Sequence, residues 1–470
     1  MDAKKAAKVS SIYLIATLFN RGISFLTVPI FTRLLSTSDY GIVTTYTSWV
    51  SVVAMIIGCS LHMGIRAAYI DFFDKVKEVT STVISFTLLI FSGITAVVCV
   101  GILCLHIDVN LSLVLMCLIQ GLFSAIITDY SMHLMMQYRY KLRTLLMIGP
   151  NLLSAIAAII VIVFVMDSDL YLGRIYTYCG AYIVFGLLVL FLCFKEYKPG
   201  MQKKYLKYTL SISAPLILHG IALDILSQSD RVMITWLADA SQTGIYSLVY
   251  NFSMVSTVIT TALEGLWIPW FTQKMKENSY SKINLFGKHY ISFMTYVMVA
   301  LILVAPELLK IFAPSSYWGG INIIPLIIIA NYLIFLYTMY VNVEHFYKKT
   351  VYVSINTSIA AVTNIVLNYF LIPKWGYIAA AFTTLISYLL SFILHMFYSK
   401  KLNKELFPIK LFLMPLLHIA VSVGIFYLFV DQWIIRWILT IFYIILVFIF
   451  ERKNIGKLFP GLAKKTSILR

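Results

Sequence analysis

Among the ionisable residues within or at the ends of long apolar stretches of the sequence, where charge is costly, seven are candidates for chemistry. A charged side chain at the centre of an isolated membrane helix costs at least ~2.5–3.5 kcal/mol, so such residues face a cavity or one another. Arginines there could bind an anionic group, and carboxylates could carry a proton or a cation. The seven candidates are Arg21, Arg66, Asp129, Asp224, Asp230, Arg231 and Glu264.

Four polar residues in the second half of the chain recur at the spacing of one helix face. Asp224, Ser227, Gln228 and Arg231 are three, one and three positions apart, which places them on one polar stripe. We expect this stripe to face a central cavity together with Arg21, and Arg21, Arg231 and Asp224 to contact substrate there. The alternative is a structural pair, such as Arg21 with Asp224, that only docks two helices.

The other candidates have narrower expected roles. Arg66 lies where an apolar stretch reaches the cytoplasm, so it could meet an anionic head group, although it could equally be an orientation signal. Asp230, Glu264 and Asp129 are candidates for ion coupling or gating. No catalytic residue, metal site or cofactor is expected, because the six cysteines form no C-x-x-C pair and no Gly-rich phosphate loop or H-E-x-x-H motif occurs.

The composition requires membrane helices to position these residues. Of 470 residues, 60% are hydrophobic and only 12% are charged, about half the charged fraction of a soluble protein. A spanning helix needs about 20 mostly apolar residues. The sequence thus predicts an all-α polytopic membrane protein with about 14 transmembrane helices, near 10–32, 42–61, 81–104, 111–136, 144–166, 174–194, 209–236, 245–271, 289–312, 321–341, 351–372, 376–398, 410–430 and 433–450.

The positive charges orient these spans. Of the 37 Lys and Arg residues, 30 fall in alternate connections or in the termini, and five lie beside span ends on the opposite side. By the positive-inside rule both termini are cytoplasmic, and the first apolar run is a retained span. Because the basic residues are spread over eight short segments, the net charge of +17 reflects topology and no nucleic-acid partner is expected.

The chain contains a weak internal repeat. A shift of 203 residues places the turn 32–41 on the turn 235–244, and places Gly173 on Gly376. The offset covers six spans, so we expect an N-terminal six-helix lobe (1–198), a C-terminal six-helix lobe (199–400), and two extra helices with a cytoplasmic tail (401–470). Transporters built from such parallel repeats bind substrate between the halves.

Four parts of the chain carry a resemblance to a known transporter family. They are Asn20-Arg21-Gly22 through Pro29 to Asp39-Tyr40-Gly41; Ser229-Asp230-Arg231 with Gly244-Ile245-Tyr246 and Trp267-Ile268-Pro269-Trp270-Phe271; Ala305-Pro306-Glu307 with Tyr317 and Pro325; and Asn364 and Asn368 before Ile372-Pro373 and Gly376. In order and spacing the chain resembles the polysaccharide-export (O-antigen and capsule, Wzx-type) flippases. Their superfamily, the multidrug/oligosaccharidyl-lipid/polysaccharide exporters, also holds the lipid II flippase and the multidrug and toxin extruders.

The resemblance implies a function. A flippase of this kind would move an undecaprenyl-diphosphate-linked oligosaccharide repeat unit, for lipopolysaccharide O-antigen or another surface polymer, across the bacterial inner membrane by alternating access. It implies that Arg21 and Arg231 hold the diphosphate and that the two C-terminal helices hold the lipid tail. The coupling ion, H⁺ or Na⁺, stays open. A multidrug or cation antiporter of the same superfamily is the nearest alternative, and a membrane-bound polysaccharide polymerase is another.

Overall fold

The regular structure of the chain is helical. The computed structural model describes the backbone of residues 22–23 and 25–458, and their side chains except at 215, 216, 218, 219, 262, 266 and 450–458. This part contains no strand. Its α-helices are α1 Phe25–Leu34, α2 Thr37–Gly58, α3 Leu61–Asp71, α4 Val76–Cys104, α5 Leu111–Met136, α6 Tyr140–Phe164, α7 Leu170–Glu196, α8 Lys203–Leu237, α9 Ala240–Lys276, α10 Tyr280–Phe312, α11 Ile324–Phe346, α12 Thr350–Leu402, α13 Lys410–Leu428 and α14 Trp433–Leu458.

The helices confirm the predicted all-α membrane class. Nine described helical segments are long and apolar enough to cross a membrane. They cover ten of the predicted spans, because α12 holds two spans that meet at Gly376, where the backbone leaves the helical conformation (φ 58°). The helices α8, α9 and α14 coincide with the predicted spans seven, eight and fourteen. Most of the predicted first span, including Arg21, lies outside the described residues.

By packing, the chain divides into two compact units. The first unit comprises the chain up to Ser247 together with Ala361–Tyr377, and the second comprises Leu248–Ala360 and the chain from Ile378 onward. Isoleucines of α2, α4 and α5 form much of the apolar core of the first unit. In the second unit the indole of Trp267 stacks on the Tyr290 ring at 4.9 Å. The predicted division into lobes was based on the sequence repeat and not on packing contacts. It therefore stays a prediction, with the bounds 1–198, 199–400 and 401–470.

The starts of α2 and α9 repeat one capping arrangement. Ser36 accepts a hydrogen bond from the backbone N–H of Asp39, whose carboxylate accepts one from the backbone N–H of Ser36. At the position 203 residues later, Asp239 accepts hydrogen bonds from both the backbone and the side chain of Gln242. Such caps satisfy N–H groups that have no partner within the helix. The repeat seen in the sequence therefore recurs as local structure.

A buried ion pair docks the C-terminal hairpin of α13 and α14 in the second unit. Arg436, at the start of α14, is fully buried and pairs with Glu307 of α10. Its guanidinium also donates hydrogen bonds to the backbone oxygens of Phe429 and Val430. Arg436 is one of the five basic residues that the sequence places beside span ends on the side opposite the termini. The burial instead makes it an anchor between the extra hairpin and the repeat.

We expect the two halves of this pair to behave asymmetrically on mutation. Replacing Glu307 by Leu should lower the thermal unfolding midpoint in detergent most, because it leaves a fully buried guanidinium without its carboxylate, a loss of about 3–5 kcal/mol for a buried pair. The double variant Glu307→Leu/Arg436→Met should recover most of this stability. A double variant as unstable as Glu307→Leu alone would contradict this account.

Candidate functional site

The predicted polar stripe of α8 packs against hydroxyl groups of α2 within the first unit. Ser51 donates to both carboxylate oxygens of Asp224 at 3.2 and 3.1 Å, and Ser48 donates to the amide oxygen of Gln228 at 3.0 Å. One turn further along α2, the hydroxyls of Thr45 and Thr235 lie 2.6 Å apart. Hydroxyls every three residues along α2 thus form a polar seam with α8. The seam is defined by these three contacts.

Arg231 is held at this seam by its own helix. One terminal nitrogen, Nη1, donates to the Gln228 amide oxygen at 2.8 Å and to the backbone oxygen of Ser227 at 3.0 Å. The residue is only 6% exposed. Gln228 therefore bridges the guanidinium to Ser48 of α2. Asp224 and Arg231 lie on the face of α8 that packs against α2, and a role for them in a central cavity stays a prediction.

Asp230 contacts a different set of neighbours. Its buried carboxylate accepts hydrogen bonds from the Tyr246 hydroxyl of α9 at 2.6 Å and from the Asn368 amide of α12 at 2.7 Å. Asn368 also donates to the amide oxygen of Asn364, which accepts from Ser229. The motif residues therefore form one buried polar network. From the sequence, these residues stood out only because they lie in the stretches that resemble a known transporter family.

The remaining candidates lie apart from the seam. Asp129 is buried in α5, where the Thr87 hydroxyl of α4 donates to it at 3.4 Å. Arg66 is exposed on α3. Glu264 is half-buried on α9 in the second unit. Arg21 lies outside the described residues, and within the described part of the first unit the two candidates at the seam are Asp224 and Arg231.

The helix ends next to the seam make an unusually close contact within the first unit. A Cβ at Gly41 would lie 1.7 Å from the backbone oxygen of Ala240, and a Cβ at Gly244 would lie 2.1 Å from that of Thr37. The two glycines are 203 residues apart in sequence, as are Thr37 and Ala240, so the contact is reciprocal. Nearby, the hydroxyls of Thr37 and Ser241 lie 2.7 Å apart. We call this contact the glycine gate.

Sequence reasoning missed several of these residues. The hydroxyls Thr45, Ser48 and Ser51 were detectable by their spacing of three in an apolar helix. It also missed a buried carboxylate–imidazole pair inside the second unit, between Glu344 of α11 and His395 of α12. Those two residues are 51 positions apart, and no local pattern joins them.

Comparison with known proteins gives the chain a family. Residues 6–275, more than half the chain, match the family described as polysaccharide biosynthesis protein. A protein of Haemophilus influenzae that carries the name of the Lsg locus is 23% identical over 355 residues, which cover 70% of this chain and 85% of that protein.

Solved structures show the same fold at low sequence identity. The lipid II flippase MurJ in an inward closed conformation matches with a TM-score of 0.68 and 17% identity, over 94% of this chain and 99% of that one. An inward-facing multidrug resistance MATE transporter of the MOP superfamily matches with a TM-score of 0.59 and 11% identity, over 83% and 97%. The chain therefore belongs to the polysaccharide biosynthesis protein family, with the fold of the multidrug/oligosaccharidyl-lipid/polysaccharide exporter superfamily.

Proposed function

We propose that the protein is a flippase that moves undecaprenyl-diphosphate-linked oligosaccharide units from the cytoplasmic to the outer leaflet of the bacterial inner membrane. The observation that carries this proposal is the match to the lipid II flippase over 94% of the chain, together with the family. The MATE match covers 83%. The family, described as polysaccharide biosynthesis protein, supports a substrate that carries sugar. Both termini would be cytoplasmic.

The seam and the glycine gate support an alternating-access cycle. Because Arg231 is buried against α2, a substrate can reach it only when the seam opens. The gate lies at the start of α2 and the start of α9, which the charge pattern puts on the outer side. Opening the gate would therefore expose Arg231. In this cycle Arg66 meets the diphosphate as it approaches from the cytoplasm. Arg21 is the first to bind the diphosphate in the cavity, and Arg231 binds it as it moves outward.

The driving force is compatible with this direction. An inside-negative potential favours outward movement of negative charge by about 2.3 kcal/mol per charge per 100 mV. A diphosphate with two charges moving fully across would gain about 4.6 kcal/mol per 100 mV on that figure. Coupling to H⁺ or Na⁺ would add to this, with Asp230, Asp129 and Glu264 as the carboxylates proposed for coupling or gating.

The C-terminal hairpin supports a role in holding the lipid tail. It is anchored to α10 by Arg436 and Glu307, and its other faces expose apolar side chains. Large exposed examples are Leu413, Met414, Leu417, Ile434, Ile438 and Ile441. A hydrocarbon tail could lie along this surface while the head group crosses.

Deletion of the gene tests the substrate class. We expect surface polysaccharide to disappear while the lipid-diphosphate-linked repeat unit accumulates inside the cell, with recovery when the wild-type gene is restored. Single unpolymerised units at the surface would identify a polymerase instead. An unchanged amount of surface polymer would favour the second candidate, a cation antiporter. The similarity to the MATE transporter and the carboxylates Asp224 and Asp230 support that alternative.

A further inference from the structure

The second unit contains a carboxylate and an imidazole that face each other in complete burial. Nδ1 of His395 lies 3.1 and 3.0 Å from the two carboxylate oxygens of Glu344, and both side chains are 0% exposed. The ring of Tyr337 stacks on His395 with the centroids 5.4 Å apart. Among the described residues, His395 is the only basic side chain within ion-pair distance of Glu344.

The first unit holds a counterpart with the partners exchanged. His133 of α5 lies 3.5 Å from Glu196 of α7, so the histidine is on the fourth predicted span and the glutamate on the sixth. In the second unit the glutamate is on α11 and the histidine on α12, the helices equivalent to α5 and α7 by the repeat, although the 203-residue shift does not place the residues of one pair on those of the other. The first pair differs in that Glu196 is partly exposed and Arg139 adds a permanent positive charge 2.6 Å from it.

Without a permanent cation, the second pair depends on a proton. A buried ionised carboxylate is costly unless it is compensated, and one proton shared between Glu344 and His395 keeps the pair neutral whichever atom carries it. Nε2 of His395 is also buried and has no hydrogen-bond partner in the described part of the chain. In water, a separated carboxylate and imidazole would release that proton readily near neutral pH. Burial and exposure of the pair are therefore linked to proton uptake and release.

The pair is connected to a candidate that the sequence had already marked. Glu264 of α9, which is half-buried, is close enough to Tyr337 to interact with it electrostatically. Tyr337 in turn stacks on His395. The titratable groups that face the pair from the packed helices are His345 and Tyr337 of α11, Tyr398 of α12 and, beyond Tyr337, Glu264 of α9.

We propose that Glu344 and His395 form a proton-binding site that couples proton entry to export of the lipid-linked substrate. The site binds one proton, which reaches the pair past Glu264 when the protein is open outward. It releases that proton to the cytoplasm when the cytoplasmic ends of α11 and α12 are hydrated. The substrate moves in the opposite direction in the same cycle. This inference rests on the proposed flippase function and adds its coupling ion.

The test uses the full-length protein in liposomes with a lipid-diphosphate-linked oligosaccharide and a membrane potential clamped at zero. With one exchanged proton, a gradient of one pH unit should shift the steady-state distribution of substrate between leaflets up to about tenfold. In Glu344→Gln and in His395→Gln we expect flipping to continue under a potential alone while the response to the pH gradient is lost. His133→Gln is the matched control, because Glu196 keeps Arg139, and it should respond as wild type.

A swapped variant separates the proton site from a docking contact. Glu344→His/His395→Glu recreates the order of partners found in the first unit and should restore the response to the pH gradient. A folded Glu344→Gln that responds to the gradient like wild type would overturn the inference. The inference would also be overturned if a folded Glu344→Gln or His395→Gln lost flipping under a potential alone as completely as under a pH gradient. That result would mean that the pair has only a structural role. Absence of flipping by the wild type under every gradient would instead reject the proposed function.

Discussion

Replacing Gly41 or Gly244 by alanine is expected to reduce transport at least tenfold while leaving the protein folded. The added methyl carbon would lie 1.7 or 2.1 Å from a backbone oxygen, whereas real Cβ atoms essentially never come closer than 3.0 Å. The obstacle is backbone, which has no alternative rotamer, so α2 and α9 would have to separate by roughly 1 Å in a closely packed region. The outer side could then no longer close, and the alternating cycle would stop.

The measurement is surface polysaccharide in cells, with labelling of Ser241→Cys in a cysteine-free background by a membrane-impermeant maleimide. Labelling should rise in the glycine variants, because the Thr37–Ser241 contact opens with the gate. Gly180→Ala is the matched control: Gly180 lies inside α7, and a Cβ there would meet nothing within 4 Å. Normal transport by Gly41→Ala and Gly244→Ala would show that tight closure at this point is not needed.

Replacing Arg231 by alanine is expected to reduce export of the lipid-linked unit by roughly 30-fold or more. The proposed partner of Arg231 is the substrate diphosphate, and truncating one partner of a buried charge pair at an interface costs about 2–5 kcal/mol. Arg231→Lys should recover only part of this, since an ammonium lacks the planar fork that matches phosphate oxygens. The rate is measured in liposomes, and an unchanged rate for Arg231→Ala would remove this residue from the substrate path.

Asp224→Asn, on the same stripe, provides the informative comparison. The amide oxygen can still accept the hydrogen bond of Ser51, while the negative charge disappears. For an anionic substrate we expect transport to stay within about twofold of wild type or to rise, because a repulsive charge is lost. A cation antiporter would show the reverse order, with Asp224→Asn inactive and Arg231→Ala active.

Sequence reasoning located the helices well because membrane insertion imposes a length and polarity that can be read locally. Thirteen of the fourteen predicted spans coincide with described helices, and the first lies mostly outside the described residues. The repeat offset aligned the two turns in which the structure shows caps at Ser36 and Asp239. These are features of single helices or of one fixed offset.

The contacts between helices were less accessible to sequence reasoning. Arg231 and Asp224 share a face by helical spacing alone, but their partners on α2 depend on how two distant helices pack. The sequence suggested ion coupling or gating for Asp230. It did not predict the hydrogen bonds from Tyr246 and Asn368 that define the environment of this carboxylate. Glu344 and His395 carried no signal, because each looks like an isolated polar residue until the fold brings them together.

Direct reconstitution tests the central claim. The purified protein is placed in liposomes with an undecaprenyl-diphosphate-linked oligosaccharide, and the sugar exposed on the opposite leaflet is measured with a membrane-impermeant glycosidase. We predict protein-dependent transfer of the sugar that is accelerated by a potential negative on the donor side and lost in Arg231→Ala. Absence of transfer by folded wild-type protein, together with export of an apolar cation by the same liposomes, would contradict the flippase account.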